Sequence, residues 1–436
     1  MNLVELKQKI EDKSARIGVI GLGYVGLPVA CLFAEAGFKV TGVDIKDERV
    51  AKINAGISPI EGKEPGLAEL LASVIASGNL KATTNYEELR DCDVFLIDVE
   101  TPVDEDHIPR YNALNNVCRS LGPVLKNGAL VIVESTVSPG TTNNLVRPAL
   151  ETSSGKRAGK DLYVGVCPER VMPGRLLFNL RNLSRVCGGE SPEVSEVMIK
   201  LYRHIIPKAD LDPADCVTAE LVKTVENAYR DVNIAFANEV ALICEAVGAD
   251  VLRVRELVNK CPGRDMLMPG AGVGGHCLPK DPWLLAYGAQ GRVPVKLIAA
   301  ARTVNDFMPL HMVELLKEAL VEAGKEITGS RILVLGYAYL ENSDDTRNSP
   351  SAVLVDELRR LGAEVVIHDP WVPGYQGDIK TLAKNCDAAV VMVAHDFYKD
   401  AELSQLEIPV WIDGRRIIDI EEFRRQGLIC RSIGQN

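Results

Sequence analysis

PGAGVGGHCLPKDPW, Pro269 to Trp283, gathers reactive residue types into one short stretch. Gly270, Gly272, Gly274 and Gly275 carry no Cβ, so backbone N–H groups there can close around a ligand. Cys277 follows, within reach of that ligand. A thiolate is a strong nucleophile, and Lys280 or a helix N-terminus nearby would lower its pKa. Asp281 is placed to hold a water or to orient the lysine. His276 and Cys277 are both metal-ligand types, but adjacent residues rarely chelate one ion. No Cys-x-x-Cys or His-x-x-x-His pair occurs elsewhere, so no metal site is expected. A second pair, Lys223 and Asn227, stands four apart on a helical pattern and shares a face. A cation beside an amide would stabilise an oxyanion; spacing alone favours a solvated helix face.

A cofactor site is written near the N-terminus. GLGYVG places Gly21, Gly23 and Gly26 in G-x-G-x-x-G, after a strand pattern and before a helix, with Asp44 ending the next strand. That context is the dinucleotide fingerprint. Gly21 permits the tight turn, Gly23 lets the backbone approach a pyrophosphate at the helix N-terminus, and Gly26 lets helix and strand pack closely. Asp44 would accept the adenosine ribose hydroxyls, favouring NAD over NADP. ETPVDE and ESTVSPG are later strand ends, so Thr101 and Thr136 should also face the cofactor, although strand-end capping explains either hydroxyl equally well. A nicotinamide site plus a nucleophilic thiol suggests oxidation of an alcohol through the aldehyde to the acid. The second oxidation needs a tetrahedral adduct, and a cysteine supplies one as a thiohemiacetal.

The elements that must position these groups follow from periodicity. RIGVIGLG, KVTGVD, CDVFLIDVE and ALVIVEST read as strands alternating with helices, the mark of a doubly wound parallel sheet. From Ala214 no Gly or Pro interrupts the chain until Gly248, and Leu221, Val225, Ala228, Val232, Ala235 and Phe236 follow helical spacing. A long spine helix is expected there, able to carry a subunit interface. RILVLGYAY, AEVVIHDP, AAVVMVA and PVWIDGR then form a second α/β domain without the glycine signature. The expected layout is α/β, two Rossmann-like doubly wound domains joined by a helical central one, with boundaries at 1–200, 201–320 and 321–436.

Composition narrows the classes. A chain of 436 residues exceeds one hydrophobic core. The net charge of −11 disfavours nucleic acid or an anionic membrane as main partner. The 11 cysteines form no paired framework, and most, like Cys31 and Cys244, sit in apolar runs as buried reduced thiols would. The charged N-terminus is unlike a signal peptide and no apolar run is long enough to span a membrane, so a cytoplasmic protein is expected.

The motifs converge on a resemblance. GLGYVGLP, TPVDE, EST, CPERVMPG, ELVKTVENAYRDVNIAFANE, GGHCLPKDPW, DDTRNSP and DGRR, spread over nearly the whole length, resemble the UDP-glucose/GDP-mannose dehydrogenase family. The resemblance implies an enzyme that makes uronic acids from nucleotide sugars with two NAD per turnover. It implies Cys277 as nucleophile, Lys223 and Asn227 as the oxyanion pair, and Asp281 as the carboxylate working with an ordered water. It gives Glu169 a part in thioester hydrolysis and Thr136 the positioning of a water. Tyr24 and Val25, inside the glycine turn, join Lys280 and Arg347 among cofactor contacts. Arg264 and Arg415 are implied contacts to substrate phosphate or sugar, with Arg170, Gly270 and Gly274 beside Glu169, Lys223 and Asn227 in the substrate set. The counterpart of Arg264 reaches into a neighbouring subunit in this family, and the spine helix makes a homodimer. His276, PERVMPG and DPW resemble the branch acting on UDP-N-acetylhexosamines, the N-acetylmannosamine epimer first. UDP-N-acetylglucosamine and UDP-glucose are the alternatives. Lys280 is more typical of the glucose and GDP-mannose branches, and Leu340 stands where the family usually has a phosphate-binding lysine. An NAD-binding regulatory protein without turnover is the alternative of another class; Leu340 favours it and the intact Cys277, Lys223, Asn227 and Asp281 oppose it.

Overall fold

The glycine and strand signals of residues 16–43 fold as the pattern predicts. β1 (Arg16–Ile20) enters the turn at Gly21, a helix (Gly26–Glu35) follows, and β2 (Lys39–Val43) returns parallel to β1. The helix ends where Gly37 takes φ +103°, open to glycine but strained for other residues. This is a computed structural model, and it describes residues 1–60, 62, 64–289 and 291–435. β3 (Leu80–Thr83), β4 (Val94–Ile97), β5 (Ala129–Val133), β6 (Leu162–Val166), β7 (Arg185–Gly189) and β8 (Leu211–Asp215) complete an eight-stranded sheet. Its order is β3-β2-β1-β4-β5-β6-β7-β8, parallel throughout except between β6 and β7. The strand order reverses between β1 and β4, which opens a ligand crevice at their carboxyl ends. Along β5, Leu130 and Ile132 pack on one face while Val131 and Val133 pack on the other. Burial on both sides is why such strands read as unbroken apolar runs.

The second sheet holds β9 (Arg331–Leu335), β10 (Glu364–His368), β11 (Ala388–Val391), β12 (Val410–Asp413) and β13 (Ile429–Ser432). It is all parallel in the order β10-β9-β11-β12-β13, the other common doubly wound arrangement. Both sheets repeat one device before their fourth or eleventh strand. The N–H of Arg16 donates to Asp93 at 2.9 Å, and that of Arg331 donates to Asp387 at 2.7 Å.

The spine helix runs from Cys216 to Val247, 32 residues, and Gly248 ends it at φ +72°. A second long helix spans Leu297–Glu322. The chain divides into two compact units, residues 1–226 with 283–293, and residues 227–282 with 294–436. Among the described residues no helix is long and apolar enough to cross a membrane. None of the eleven cysteines is in a disulfide; nine are buried, and Cys261 and Cys277 are exposed.

Candidate active site

In the first unit the three glycines have separable reasons. Gly21 sits at φ +94°, and a Cβ there would lie 2.4 Å from the Asp98 carbonyl. A Cβ on Gly26 would lie 2.0 Å from the Gly21 carbonyl, so helix and turn touch backbone to backbone. Around Gly23 nothing lies within 4 Å of an added Cβ, which leaves the space a pyrophosphate needs. No side chain caps the helix that opens after Val25, so its leading amides suit an anion. Asp44 is buried at the end of β2. It accepts the N–H of Leu22 and of Lys46, each at 3.0 Å, and pairs with Arg49 at 2.9 Å. A carboxylate has about four lone-pair sites, so a ribose hydroxyl still fits. These residues fit a bound NAD. Tyr24 donates its hydroxyl to Glu64, which also accepts the N–H of Gly174 at 2.7 Å and of Leu176 at 3.1 Å. Glu64 thus ties the glycine turn to the loop after Arg170.

The ends of β4 and β5 meet through Thr101, whose hydroxyl donates to the Thr136 carbonyl at 2.6 Å. Beneath them Glu134 accepts from Tyr202 at 2.6 Å and from Arg185 at 3.1 Å. Burial raises the carboxyl groups of both Asp98 and Glu134, and each lies in the other's field. Glu169, past β6, folds back onto the N–H of Val171. Arg170 reaches Glu226 of the spine helix at 3.0 Å and the Ser184 carbonyl at 2.6 Å. Glu220 of the same helix accepts the N–H of Gly140 at 2.6 Å and of Thr142 at 2.7 Å, holding the loop that carries Thr136. Lys223 is buried, and three-residue spacing puts Glu220, Lys223 and Glu226 on one side of the helix. The solvated face that spacing favoured is not what the fold makes. Trp283 stacks on His107, rings 3.7 Å apart and 4° from parallel.

In the second unit Asn227 donates to Asp281 at 2.5 Å, and Lys280 faces the other Asp281 oxygen at 2.9 Å. Asp281 therefore orients the lysine, and it begins the helix Asp281–Gly288. The amides of Lys280 and Asp281 both donate to the Cys277 carbonyl, at 3.0 Å and 2.8 Å. Cys277 itself is exposed. The glycines before it pack closely against neighbouring segments. A Cβ on Gly274 would meet Tyr339 at 2.6 Å and Pro350 at 2.8 Å; one on Gly275, at φ +91°, would meet the Tyr339 ring at 2.7 Å. Gly270 faces Arg415, whose guanidinium would lie 2.5 Å from an added Cβ. The Gly275 N–H donates to the Arg347 carbonyl at 2.9 Å, so DDTRNSP backs the thiol loop directly, with the Arg347 side chain on Asp345. Burial lowers the His276 pKa, and the charges of Lys280 and Arg347 lower it further. Arg264 lies exposed on the loop after the helix Val251–Asn259, bonded to the Pro262 carbonyl at 3.1 Å. Leu340 is partly exposed.

Arg49, Glu64, Glu220 and Glu226 are functional neighbours to which the sequence motifs assign no role.

A dinucleotide turn in one doubly wound sheet, a second such sheet, and an exposed thiol four residues before a buried carboxylate that meets an amide and a lysine define an NAD-dependent dehydrogenase. The comparisons narrow the class. The chain belongs to the UDP-glucose/GDP-mannose dehydrogenase family, matching its NAD binding domain at residues 15–206, its central domain at 217–307 and its UDP binding domain at 333–420. It is an oxidoreductase that uses NAD and takes a UDP-sugar as substrate. A Pyrococcus horikoshii protein named UDP-N-acetyl-D-mannosamine dehydrogenase is 41% identical over 96% of this chain and 99% of its own. A solved structure of the UDP-D-ManNAc dehydrogenase from that organism matches with a TM-score of 0.90 at 40% identity, covering 96% of this chain and 99% of that one. An NDP-N-acetyl-D-galactosaminuronic acid dehydrogenase from Methanosarcina mazei Go1 matches with a TM-score of 0.87 at 37% identity, covering 100% and 98%.

Proposed function

We propose that this enzyme oxidises UDP-N-acetyl-D-mannosamine at C6 to the uronic acid, using two NAD per sugar. The carrying observation is the name shared by full-length relatives, the first of them 41% identical. NAD, when bound, is the hydride acceptor for both oxidations. Between them Cys277 adds through Sγ to the aldehyde carbon, so the carbon oxidised second is held on sulfur. Water then releases the acid and returns the thiol. Lys223 and Asn227 are assigned to the oxyanion, Asp281 to an ordered water, Glu169 to thioester hydrolysis and Thr136 to placing the water. Gly21, Gly23, Tyr24, Val25, Gly26, Asp44, Thr101, Lys280 and Arg347 are assigned to the cofactor. Arg170, Arg264, Gly270, Gly274 and Arg415 are assigned to the nucleotide sugar. Three domains, 1–200, 201–320 and 321–436, carry these roles; the order of the three family models supports that layout.

The test is side-by-side kcat/KM on UDP-N-acetylmannosamine, its gluco and galacto epimers, and UDP-glucose, counting NADH per sugar. Two equivalents with the manno epimer preferred upholds the proposal. The Methanosarcina structure, aligned over the whole chain, makes the galacto epimer the second reading. Cys277→Ser should bind NAD unchanged and form no acid; full turnover by it rejects the thiol chemistry.

We also assign a homodimer built on the spine helix. Tyr229, Phe236, Ile243 and Val247 are 70%, 57%, 55% and 72% exposed there, at spacings that share one helix face. Phe236→Glu should convert a dimer to monomer by light scattering, and a wild-type monomer rejects the assignment. Cysteines that form no disulfide suit a reducing compartment, and we assign the cytoplasm.

A further inference from the structure

We infer that Asn238 is a positioning residue for the Cys277 loop. The inference rests on Cys277 being the nucleophile. Asn238 lies on the spine helix about three turns beyond Asn227, hence on the same side. Its Oδ1 accepts the N–H of Gly270 at 2.9 Å, and its Nδ2 donates to Asn305 Oδ1 at 2.9 Å. Asn305 Nδ2 donates to the Asp231 carbonyl at 3.0 Å and to Asp231 Oδ1 at 2.8 Å. Arg302 meets the same Oδ1 at 2.6 Å. Asp231, Asn238 and Asn305 are 0% exposed and Arg302 is 2% exposed.

The donor and acceptor types allow one direction for this relay. A backbone carbonyl only accepts, and a guanidinium only donates. Asn305 must therefore turn its NH₂ toward Asp231 and its oxygen toward Asn238. Asn238 must then turn its NH₂ toward Asn305, which leaves its oxygen for Gly270. A buried ion pair thus dictates which atom of Asn238 meets the thiol loop. That would be an odd expense for packing alone, since apolar residues would fill the same volume without buried polar groups to satisfy.

The loop needs such a strut. Residues 266–280 contain neither helix nor strand. Their shape depends on a few bonds, among them Ala271 N–H to the Gly414 carbonyl at 3.1 Å and Gly275 N–H to the Arg347 carbonyl at 2.9 Å. At the far end Asn227 holds Asp281. Two asparagines of one helix therefore pin the thiol loop at both ends. A nucleophile displaced by about 1 Å loses on the order of a hundredfold in rate, so a slack start to the loop is felt in chemistry before it is felt in cofactor binding.

The experiment uses the full-length enzyme with Asn238→Ala, and with Cys277→Ser as control. The expected result is a kcat lowered roughly ten- to hundredfold, an NAD Kd within about twofold of wild type, and a changed rate of Cys277 alkylation by iodoacetamide. A folded variant with wild-type kcat, or with lowered kcat and an unchanged alkylation rate, overturns the inference. If Asn238→Ala does not fold, hydrogen exchange on the wild type decides. A Gly270 amide protected like a helix interior upholds the strut, and one exchanging like an exposed loop overturns it. Full turnover by Cys277→Ser would instead remove the thiol reading beneath it, whatever Asn238 does.

Discussion

Asp281→Ala should damage both stability and turnover. Its carboxylate is fully buried, with Asn227 at 2.5 Å and Lys280 at 2.9 Å. Removing one partner of a buried ion pair costs about 3–5 kcal/mol. The Lys280 side chain keeps 11% of its surface in solvent, which favours the lower end. Losing a hydrogen bond to a charged group costs about 1.5–3 kcal/mol. The two losses share one carboxylate and do not add fully, so a total of about 4 kcal/mol is expected. A unit of this size melts about 2–4 °C lower per kcal/mol, giving a drop of roughly 8–16 °C. Asp281→Asn keeps the volume and an acceptor for Asn227 but removes the carboxylate facing Lys280, so about 3 kcal/mol, the lower end of the ion-pair cost, is expected. Both variants should lose roughly 10²–10⁴ in kcat if the carboxylate serves proton transfer. Differential scanning fluorimetry and NADH production measure the two effects separately. An Asp281→Asn enzyme as active as wild type would refute the proton-transfer role. An alanine variant destabilised by less than about 1 kcal/mol would refute the structural one.

Asp44→Ser should shift cofactor choice, because Arg49, now 2.9 Å from that carboxylate, would be left to meet a 2′-phosphate. NADP turnover should appear and the KM for NAD rise about tenfold; unchanged preference in initial rates counts against this. Burial pushes the thiols of Cys31, Cys92, Cys118, Cys216 and Cys430 up to about 12, from an ordinary 9.0. Mass-mapped alkylation at mildly alkaline pH should therefore mark Cys261 and Cys277 first, and equal labelling of the buried five would contradict it. The same raised values make stability full below pH 9.0 and lost as pH rises toward about 12, visible as an alkaline fall in melting temperature. Burial pushes Asp369 up, but His395 and the amides of Ala338 and Tyr337 outweigh it and hold the group at about 2. Its contribution is full above pH 3.8 and lost as pH falls to about 2, so Asp369→Asn should flatten that part of the acid unfolding curve.

Much of the scaffold was legible in the sequence because its signals are local. A buried parallel strand needs an apolar run, a tight turn needs glycine at positive φ, and a long helix needs an absence of Gly and Pro. Those rules placed β1, β2, β4, β5 and β9 to β12, the turn at Gly21 and the spine helix. β3, β6, β7, β8 and β13 were not singled out. β8, LDPAD, is the clearest case: mostly exposed, containing a proline, and a strand only because β7 offers it a partner.

What the tertiary structure alone decided is which polar side chains of the spine helix point inward. In sequence, Glu220, Glu226, Asp231 and Asn238 look like the solvated side of any amphipathic helix. Their partners Gly140, Arg170, Arg302 and Gly270 lie 32 to 80 residues away, each supplied by a different loop or helix. The glycines before Cys277 teach the same lesson. Their number marked the loop as unusual, but the surface they fit, Tyr339 and Pro350, is brought there by the fold of a distant segment. Residue type and local spacing name the chemistry available to a chain; long-range hydrogen bonds and packing determine where that chemistry is held.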